Sequence, residues 1–307
     1  MLDAQEYNQY TDTESNPFKR GYYKLAVLLT GSPRFVSEGA DWWFNKALPF
    51  NCDIDYYGHC WDEADEIGKE RYDSKLNVRD FEKWPFTDFK FSRHTRDIDL
   101  YDSLRNKDTR LSRFVFRDKG RDHIVSVHNA TKLMMDKKVK YDLVLVMRYD
   151  TIIKPGALDK CISFIYNFKD NVNKFHKGYD TALFKNDTNP NIFTSWVQVR
   201  QGLPCMQDYM FISRYDDWIK YAGNLYNTYK KLLNEDNKFL ECTNFAESIY
   251  HPHVFWAFLG MYSKANFLSH DDLGCVALRS SKEKISEWWY EDIVKEHDEA
   301  FTRMFNG

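Results

Sequence analysis

The sequence predicts an α/β protein, a single domain in which helices flank a mostly parallel sheet. Two short, continuous apolar runs, at residues 24–30 and 143–147, are typical of strands buried on both faces of such a sheet. Stretches with helical spacing of apolar residues alternate with these runs. No repeat or composition break divides the 307 residues, a length that allows a sizeable core.

Composition indicates a globular chain and gives no overall preference for a charged partner. Apolar residues make up 43%, and the net charge is only -3, so neither nucleic acid nor a membrane surface attracts the chain as a whole. Six scattered cysteines without a CxxC pair predict reduced thiols and a cytoplasmic location. The polar, acidic start resembles neither a signal nor a transit peptide, and no apolar run approaches the roughly 20 residues that span a bilayer.

The first strand leads into a tight turn. Residues 1–20 are polar without a period and are predicted to be an N-terminal tail of the domain at 21–307. After strand 24–30, the turn Gly31-Ser-Pro-Arg34 precedes a helix at 38–48. Backbone N–H groups and a guanidinium near a helix N-terminus suit a phosphate; the alternative is a structural turn whose arginine forms a surface salt bridge. Neither a GxGxxG pattern nor a P-loop is present.

The second predicted strand, at 52–58, runs into His59-Cys-Trp61-Asp62. No second cluster at zinc spacing accompanies His59, and Trp61 either stacks on a flat ligand or fills the core. Residues 62–122 are predicted to be a charged insertion without a strong period. Its part at 90–121 holds ten Lys or Arg against five Asp. A solvated excursion, a lid over an anionic donor and a nucleic-acid-facing patch all fit this charge pattern.

The central feature is the strand at 143–147, which follows a predicted helix at 123–138 and ends in Arg148-x-Asp150. Charged groups at the carboxyl end of a buried strand lie where open α/β sheets bind their ligands. Asp150 is therefore expected to face a metal or a diphosphate. Pairing of Arg148 and Asp150 with neighbours at the strand end is the other interpretation.

The second half of the chain continues the alternation of helices and strands less regularly. Asp208 precedes a buried strand within 207–213, and Asp216 is predicted to cap the following helix. The remaining predictions are a helix at 157–168, strands at 181–184 and 194–199, a chain break at 202–206, helices at 216–233 and 245–262, strands at 267–270 and 275–278, and a terminal helix at 282–305.

These pieces, in their order and spacing over roughly residues 24–280, resemble a known family. Gly31-x-x-Arg34, His59-x-Trp61, Tyr141-Asp142 before the buried strand, Arg148-x-Asp150 and Gln207-Asp208 are similar to motifs of GT-A-like glycosyltransferases from bacterial surface-polysaccharide and viral or phage gene clusters. The resemblance implies a GT-A-like, Rossmann-like fold, a nucleotide-sugar donor and an acceptor hydroxyl. Arg148 stands where the family pattern Asp-x-Asp has its first acid, so the usual two-carboxylate metal site is incomplete.

The resemblance also implies roles. Asp208 would be the catalytic residue on the acceptor side, and Asp150 with a histidine of the C-terminal half, His253 or alternatively His251, would hold Mn²⁺ or Mg²⁺. Transfer from a nucleotide sugar develops negative charge on the leaving diphosphate, which a metal ion or a fixed arginine can neutralise. The implied donor-binding residues are Thr30, Gly31, Arg34, His59, Trp61, Arg148, Asp150 and Arg279.

The acceptor and the reaction class stay open at this point. The acceptor is expected to be a surface glycan or a hydroxymethylated base of viral DNA, in which case the protein would act in the host cytoplasm. A sugar nucleotidyltransferase is a rival, although it normally opens with a Gly-rich basic loop that Gly31-Ser-Pro-Arg34 matches poorly. A non-catalytic carbohydrate- or nucleic-acid-binding protein is another.

Overall fold

The computed structural model describes residues 23–61, 77–92, 119–168, 182–183, 190–195, 197–200, 203–223, 225, 227–228, 256–257, 259–260, 263–269 and 273–277. The predicted N-terminal tail, most of the charged insertion, the terminal helix at 282–305, and the residues His251, His253 and Arg279 lie outside this part of the chain.

Strands and helices alternate along the first half of the chain, and strands dominate the described second half. The strands are β1 (Tyr23–Gly31), β2 (Cys52–Trp61), β3 (Phe86–Ser92), β4 (Leu143–Arg148), β5 (Thr151–Ile153), β6 (Ala182–Leu183), β7 (Asn191–Thr194), β8 (Val197–Arg200), β9 (Leu203–Met206), β10 (Met210–Arg214), β11 (Asn266–Ser269) and β12 (Cys275–Ala277). The helices are α1 (Val36–Trp42), continued by a π-helical turn (Trp43–Ala47), a 3₁₀ helix (Val78–Lys83), α2 (Lys119–Asp136), α3 (Ala157–Phe168) and α4 (Tyr215–Ala222).

Eight of the described strands form one sheet in the order β3-β2-β1-β4-β10-β7-β11-β6. Within it β3, β2, β1, β4, β7 and β11 run parallel, whereas β10 and β6 run antiparallel to their neighbours. Two small ladders, β12 with β5 and β8 with β9, stand apart from this sheet. The predicted α/β domain with a mostly parallel, Rossmann-like sheet is confirmed.

Helices cover both faces of the sheet. On one face α2 and α4 supply Met134 and Trp218 to a core that includes Val146 of β4. On the other face α1 and α3 supply Trp42 and Ile162, which share a core with Met147 of the same strand. Because neighbouring side chains of a strand point to opposite faces, a central strand covered on both sides is apolar at successive positions, as β4 is from Leu143 to Met147.

The prediction of a single strand at 194–199 is wrong, because parts of two different strands occupy this stretch. The buried β7 ends at Thr194, and β8 begins at Val197 and forms an antiparallel ladder with β9. The break predicted at 202–206 is also wrong, since β9 occupies it and Pro204 pairs with Val199. A proline lacks the N–H for a ladder hydrogen bond but is tolerated in an edge strand, which a two-stranded ladder provides.

Two further differences from the predictions concern the start of α4 and the edge strand β3. Asp216 is not the N-cap of α4, because the extended Arg214 takes that position and Asp216 lies in the first turn, where a carboxylate is favourable for the helix dipole. Within the predicted charged insertion, β3 extends the sheet beside β2. Its residues are half-buried or exposed, as expected of an edge strand, so its pattern is weak in the sequence.

The cysteines and helices of the described part bear on two predictions made from the sequence. Cys52, Cys60, Cys161 and Cys275 form no disulfide among the described residues. Among the described helices, none combines the length and the apolar character that crossing a membrane requires.

The close packing of α1 on the chain after β4 generates a stability prediction. A Cβ atom added at Gly39 would lie 1.9 Å from the carbonyl oxygen of Tyr149. We therefore expect Gly39→Ala to lower the free energy of unfolding by about 1–3 kcal/mol, although alanine raises helix propensity. Urea denaturation measures the change, and Ser37→Ala in the same helix is the control. Equal midpoints for the two variants would contradict this packing.

Candidate functional site

The candidate site lies at the edge of the sheet where the parallel strands β1, β2 and β4 end. In the strand register Thr30 pairs with His59 on one side and with Arg148 on the other. The antiparallel β10 begins at this same edge, with Met210 paired to Met147 of β4. Asp208, two residues before Met210, therefore returns to the end of β4 despite its distance along the chain.

Arg148 is the centre of a charged cluster at this edge. Its Nε donates to Oδ1 of Asp150 at 2.9 Å and its Nη2 donates to Oδ2 at 2.6 Å, a bidentate pair. Its Nη1 lies 4.0 Å from Oδ2 of Asp208, and the guanidinium lies 4.7 Å from the ring centre of Tyr209. Burial alone would lower the pKa of Arg148, but the carboxylates of Asp150 and Asp208 outweigh it and raise that pKa. The guanidinium is therefore a fixed positive charge.

The turn after β1 lies directly beside this cluster. Gly31 has a φ of +107°, a conformation that favours glycine, and its α-carbon faces Cγ of Arg148. The N–H of Gly31 donates to Ser126 Oγ at 2.7 Å, and the N–H of Arg34 donates to the Ser32 carbonyl at 2.8 Å. These two N–H groups, which were expected to face a phosphate, are thus engaged within the fold. Arg34 is half-buried. The burial of His123 in α2, together with the positive charge of Arg34, lowers the pKa of that histidine.

His59 supports the turn from behind. It is fully buried, its Nδ1 lies 2.9 Å from Ser126 Oγ, and its Nε2 lies 3.0 Å from Ser92 Oγ and 3.1 Å from Nδ2 of Asn129. Because Asn129 can only donate through Nδ2, Nε2 accepts, and the proton of the neutral ring is on Nδ1. Burial, with a smaller contribution from Lys90, lowers the pKa of His59 to about 3. The imidazole therefore stays neutral and uses both nitrogens inside the protein.

Trp61 and Thr30 are likewise held inside the fold. Trp61 is buried and packs edge-on against the His59 ring at 5.0 Å, so it fills the core at the end of β2. Thr30 is fully buried, and its hydroxyl lies 3.3 Å from the Met147 carbonyl. Of the predicted donor-binding residues, Arg148 and Asp150 line the charged edge together with Asp208, and Arg34 belongs to the turn after β1, while Thr30, His59 and Trp61 pack behind the edge.

His123 of α2 is a site residue that was missed from the sequence. Its Nε2 lies 3.2 Å from Thr30 Oγ1, and the charges of Asp208, Arg148, Asp150 and Arg34 all act on its ring. Burial is the largest influence and lowers the pKa of His123 to about 4. The signal in the sequence was the polar spacing of three along α2, at His123, Ser126 and Asn129, which places one side chain per turn on the face turned to the sheet.

At the position predicted for a divalent cation, the described residues place the carboxylate of Asp150 in a pair with Arg148. Both of its oxygens accept hydrogen bonds from Arg148, so a cation could use only their remaining lone pairs and would lie beside the guanidinium charge. Among the residues that the structure describes, no three His, Cys, Asp or Glu side chains group as ligands for a metal ion. His253 lies outside them, so its predicted role as a second ligand stays a prediction.

Comparisons with known proteins give weak structural similarity to solved structures. No family model matches the chain, and no curated protein matches it. The chain is similar to the crystal structure of the apo-form glycosyltransferase GlyE in Streptococcus pneumoniae TIGR4, with 11% identity and a TM-score of 0.30. The match covers 92% of this chain and 64% of that chain, so the chain spans less than two thirds of that protein.

The neutral state of His59 generates a prediction about pH. The folded pKa lies below the unfolded value of about 6.5, so the unfolded protein binds more protons at acidic pH. The stability that this ring contributes is fully present above about pH 6.5 and is lost as the pH falls toward its folded pKa, by roughly 1 kcal/mol per pH unit. Urea denaturation between pH 7 and 5 should show a shallower decline for His59→Gln than for wild type.

The comparison variant for this measurement is His128→Gln, at a half-buried position on the same helix as Ser126. Burial also lowers the pKa of His128, but the ring is less deeply buried, so its removal should flatten the decline less. An equal or larger effect at His128 would refute the assignment of the pH dependence to His59.

Proposed function

We propose that the protein is a glycosyltransferase that moves a sugar from a nucleotide-sugar donor to an acceptor hydroxyl. The observation that carries the proposal is the Arg148 cluster at the carboxyl edge of a mostly parallel sheet, where α/β proteins bind their ligands. Glycosyl transfer needs a positive charge near the leaving diphosphate and a carboxylate near the acceptor. The permanent cation and the two buried carboxylates of this cluster offer both.

Arg148 would neutralise the leaving diphosphate. Its side chain is 19% exposed, against 4% for Asp150 and 3% for Asp208, so the cation is the most exposed part of the cluster. Asp150 holds the guanidinium in a fixed orientation through two hydrogen bonds, which limits the reorganisation needed as charge develops. Arg34 would add a second positive charge from the neighbouring turn.

Asp208 would serve the acceptor. In the transfer the bond between the anomeric carbon and the diphosphate oxygen breaks, and its electrons leave with the diphosphate. A new bond forms between that carbon and the acceptor oxygen, whose proton passes to the Asp208 carboxylate as general base. The neighbouring Arg148 stabilises the departing charge in the same step.

The acceptor is proposed to be a surface glycan, or a hydroxymethylated base of viral DNA as the second candidate. The DNA candidate is favoured by the excess of positive charge in the segment 90–121, most of which lies outside the described residues. Phosphate contacts of such a segment would make duplex binding strongly dependent on salt. Absence of duplex binding at every salt concentration would remove the DNA candidate.

The reaction class is tested with a panel of nucleotide sugars. A glycosyltransferase slowly releases the nucleoside diphosphate from its own donor even when water is the acceptor. Release of pyrophosphate from a nucleoside triphosphate and a sugar phosphate would instead identify a nucleotidyltransferase. Binding of sugars or DNA without either product would identify a non-catalytic binding protein.

Replacement of Asp208 by asparagine tests its role. Asp208→Asn keeps the shape of the side chain but removes its basicity, so we expect kcat for donor turnover to fall by roughly 10²–10⁴-fold. Binding of the nucleoside diphosphate, measured by calorimetry, should persist because Arg148 keeps its partner Asp150. Asp216→Asn is the control, since Asp216 is 80% exposed on the surface beside Lys140. A wild-type rate for Asp208→Asn would refute the role of this carboxylate.

Removal of metal ions with EDTA distinguishes two ways of neutralising the diphosphate, by a divalent cation or by the guanidinium of Arg148. The family resemblance implies Mn²⁺ or Mg²⁺ on Asp150 and His253, whereas the pairing of Asp150 with Arg148 favours the guanidinium. If Arg148 is the cation, donor turnover should survive EDTA, and Arg148→Lys should lower kcat because lysine cannot form the bidentate pair. Activity that vanishes with EDTA and returns with Mn²⁺ would favour the metal.

A further inference from the structure

Tyr209 contacts Arg148 through both its backbone and its ring. Its carbonyl oxygen accepts the backbone N–H of Arg148 at 3.1 Å and the hydroxyl of Thr151 at 3.2 Å. The guanidinium carbon of Arg148 lies over the Tyr209 ring, 4.7 Å from its centre. Tyr209 is half-buried and packs against the core on the α1 face of the sheet. Because the two hydrogen bonds fix the backbone of Tyr209 at the end of β4, its ring is held at the cation.

Asp150 and the Tyr209 ring restrain the guanidinium in different directions. Asp150 accepts from Nε and Nη2 of Arg148, which lie along one edge of the planar group. A pair along one edge leaves the group able to tilt about that edge. The cation lies over the π face of the ring, where the ring quadrupole attracts it, so a tilt that moves the guanidinium off the ring loses this attraction. The ring therefore restrains the motion that Asp150 permits.

The ring restrains the cation without adding a negative charge. Arg148 already faces two carboxylates, Asp150 at 2.6 Å and Asp208 at 4.0 Å. A third carboxylate in place of the ring would repel an anionic ligand at close range. An aromatic ring attracts the guanidinium through its quadrupole and has no net charge that would oppose a diphosphate. An uncharged restraint therefore suits a cation whose ligand is an anion.

We infer that Tyr209 is a positioning residue for Arg148, whose guanidinium it holds in the orientation that binds the diphosphate. The inference rests on the proposed function and adds to it the residue that orients the cation. Asp150 uses two of the five N–H donors of Arg148, and the orientation of the guanidinium plane sets where the other three point. Tyr209 acts through Arg148 and does not need to contact the ligand itself.

Replacements at position 209 separate the π face of the ring from its volume. Tyr209→Phe keeps the ring, so kcat for donor turnover should stay within about twofold of wild type. Tyr209→Leu keeps an apolar side chain but removes the π face. We expect it to lower kcat by about 5- to 30-fold, the size of a partly desolvated cation–π contact. A leucine variant as active as the phenylalanine variant would overturn the inference.

A fluorine series gives a readout that a purely structural role of the ring would not move. Fluorine atoms withdraw electron density from the π face and barely change the size of the ring. Phenylalanine that carries one, two or three fluorine atoms at position 209 should therefore lower kcat stepwise from the value of Tyr209→Phe, because each fluorine weakens the attraction for the cation. Equal kcat across the series would contradict the role of the π face.

The matched control is Tyr215→Leu. Tyr215 is also half-buried and lies next to β10, but its ring packs on Tyr141 with centroids 5.9 Å apart, and its backbone N–H donates to the carbonyl of Asp142 before β4. It therefore lies at the opposite edge of the sheet from Arg148. This variant should lower the melting temperature and leave kcat unchanged. A loss of kcat as large as that of Tyr209→Leu would show a general effect of removing a ring and would refute the specific role of Tyr209.

Failure of the proposed function looks different, since wild type would then release no nucleoside diphosphate from any donor. In that case pyrophosphate is the probe, and its dissociation constant, measured by calorimetry, is the readout. Weaker binding by Tyr209→Leu, together with stepwise weaker binding along the fluorine series, upholds the role of the ring. Pyrophosphate that binds wild type and all variants equally, or binds none of them, overturns it.

Discussion

The bidentate pair between Arg148 and Asp150 constrains the whole edge of the sheet. A guanidinium and a carboxylate removed from water lose hydration that only good geometry and further partners repay. The geometry is present, with two hydrogen bonds of 2.9 and 2.6 Å, and Asp208 and the ring of Tyr209 complete the surroundings. Because Asp208 and Tyr209 precede β10, the antiparallel insertion of β10 next to β4 is what brings the second carboxylate to the arginine.

Helix α2 holds the neighbouring turn through buried polar contacts rather than apolar packing alone. Ser126 accepts the N–H of Gly31 and donates to the carbonyl of His59, and His59 in turn is bonded to Ser92 and Asn129. A buried network in which every member has a partner fixes one arrangement, since any shift would leave a polar group unsatisfied. The positive φ of Gly31 and its distance from Arg148 are thereby set by residues that no ligand needs to touch.

The fold could be predicted from the sequence more completely than the candidate site. The apolar runs at residues 24–30 and 143–147 predicted β1 and β4, because a short, continuous apolar run indicates a strand in a sheet that is covered on both faces. The antiparallel direction of β10 could not be predicted, since direction depends on pairing between distant segments. The place of His123 in the site could not be predicted, because its polar spacing with Ser126 and Asn129 marks a face of α2, whereas its contact with Thr30 depends on packing between distant segments.

The presence of Arg148 at the end of β4 affects which ligand this edge of the sheet can accept with least rearrangement. A guanidinium has five N–H donors, and the pair with Asp150 uses Nε and one hydrogen of Nη2. Three donors therefore stay available for a diphosphate oxygen while Asp150 keeps both of its hydrogen bonds. A divalent cation at Asp150 would have to share the two oxygens of that pair and would meet the positive charge of Arg148 at close range. The donor count therefore favours an anion as the partner of Arg148.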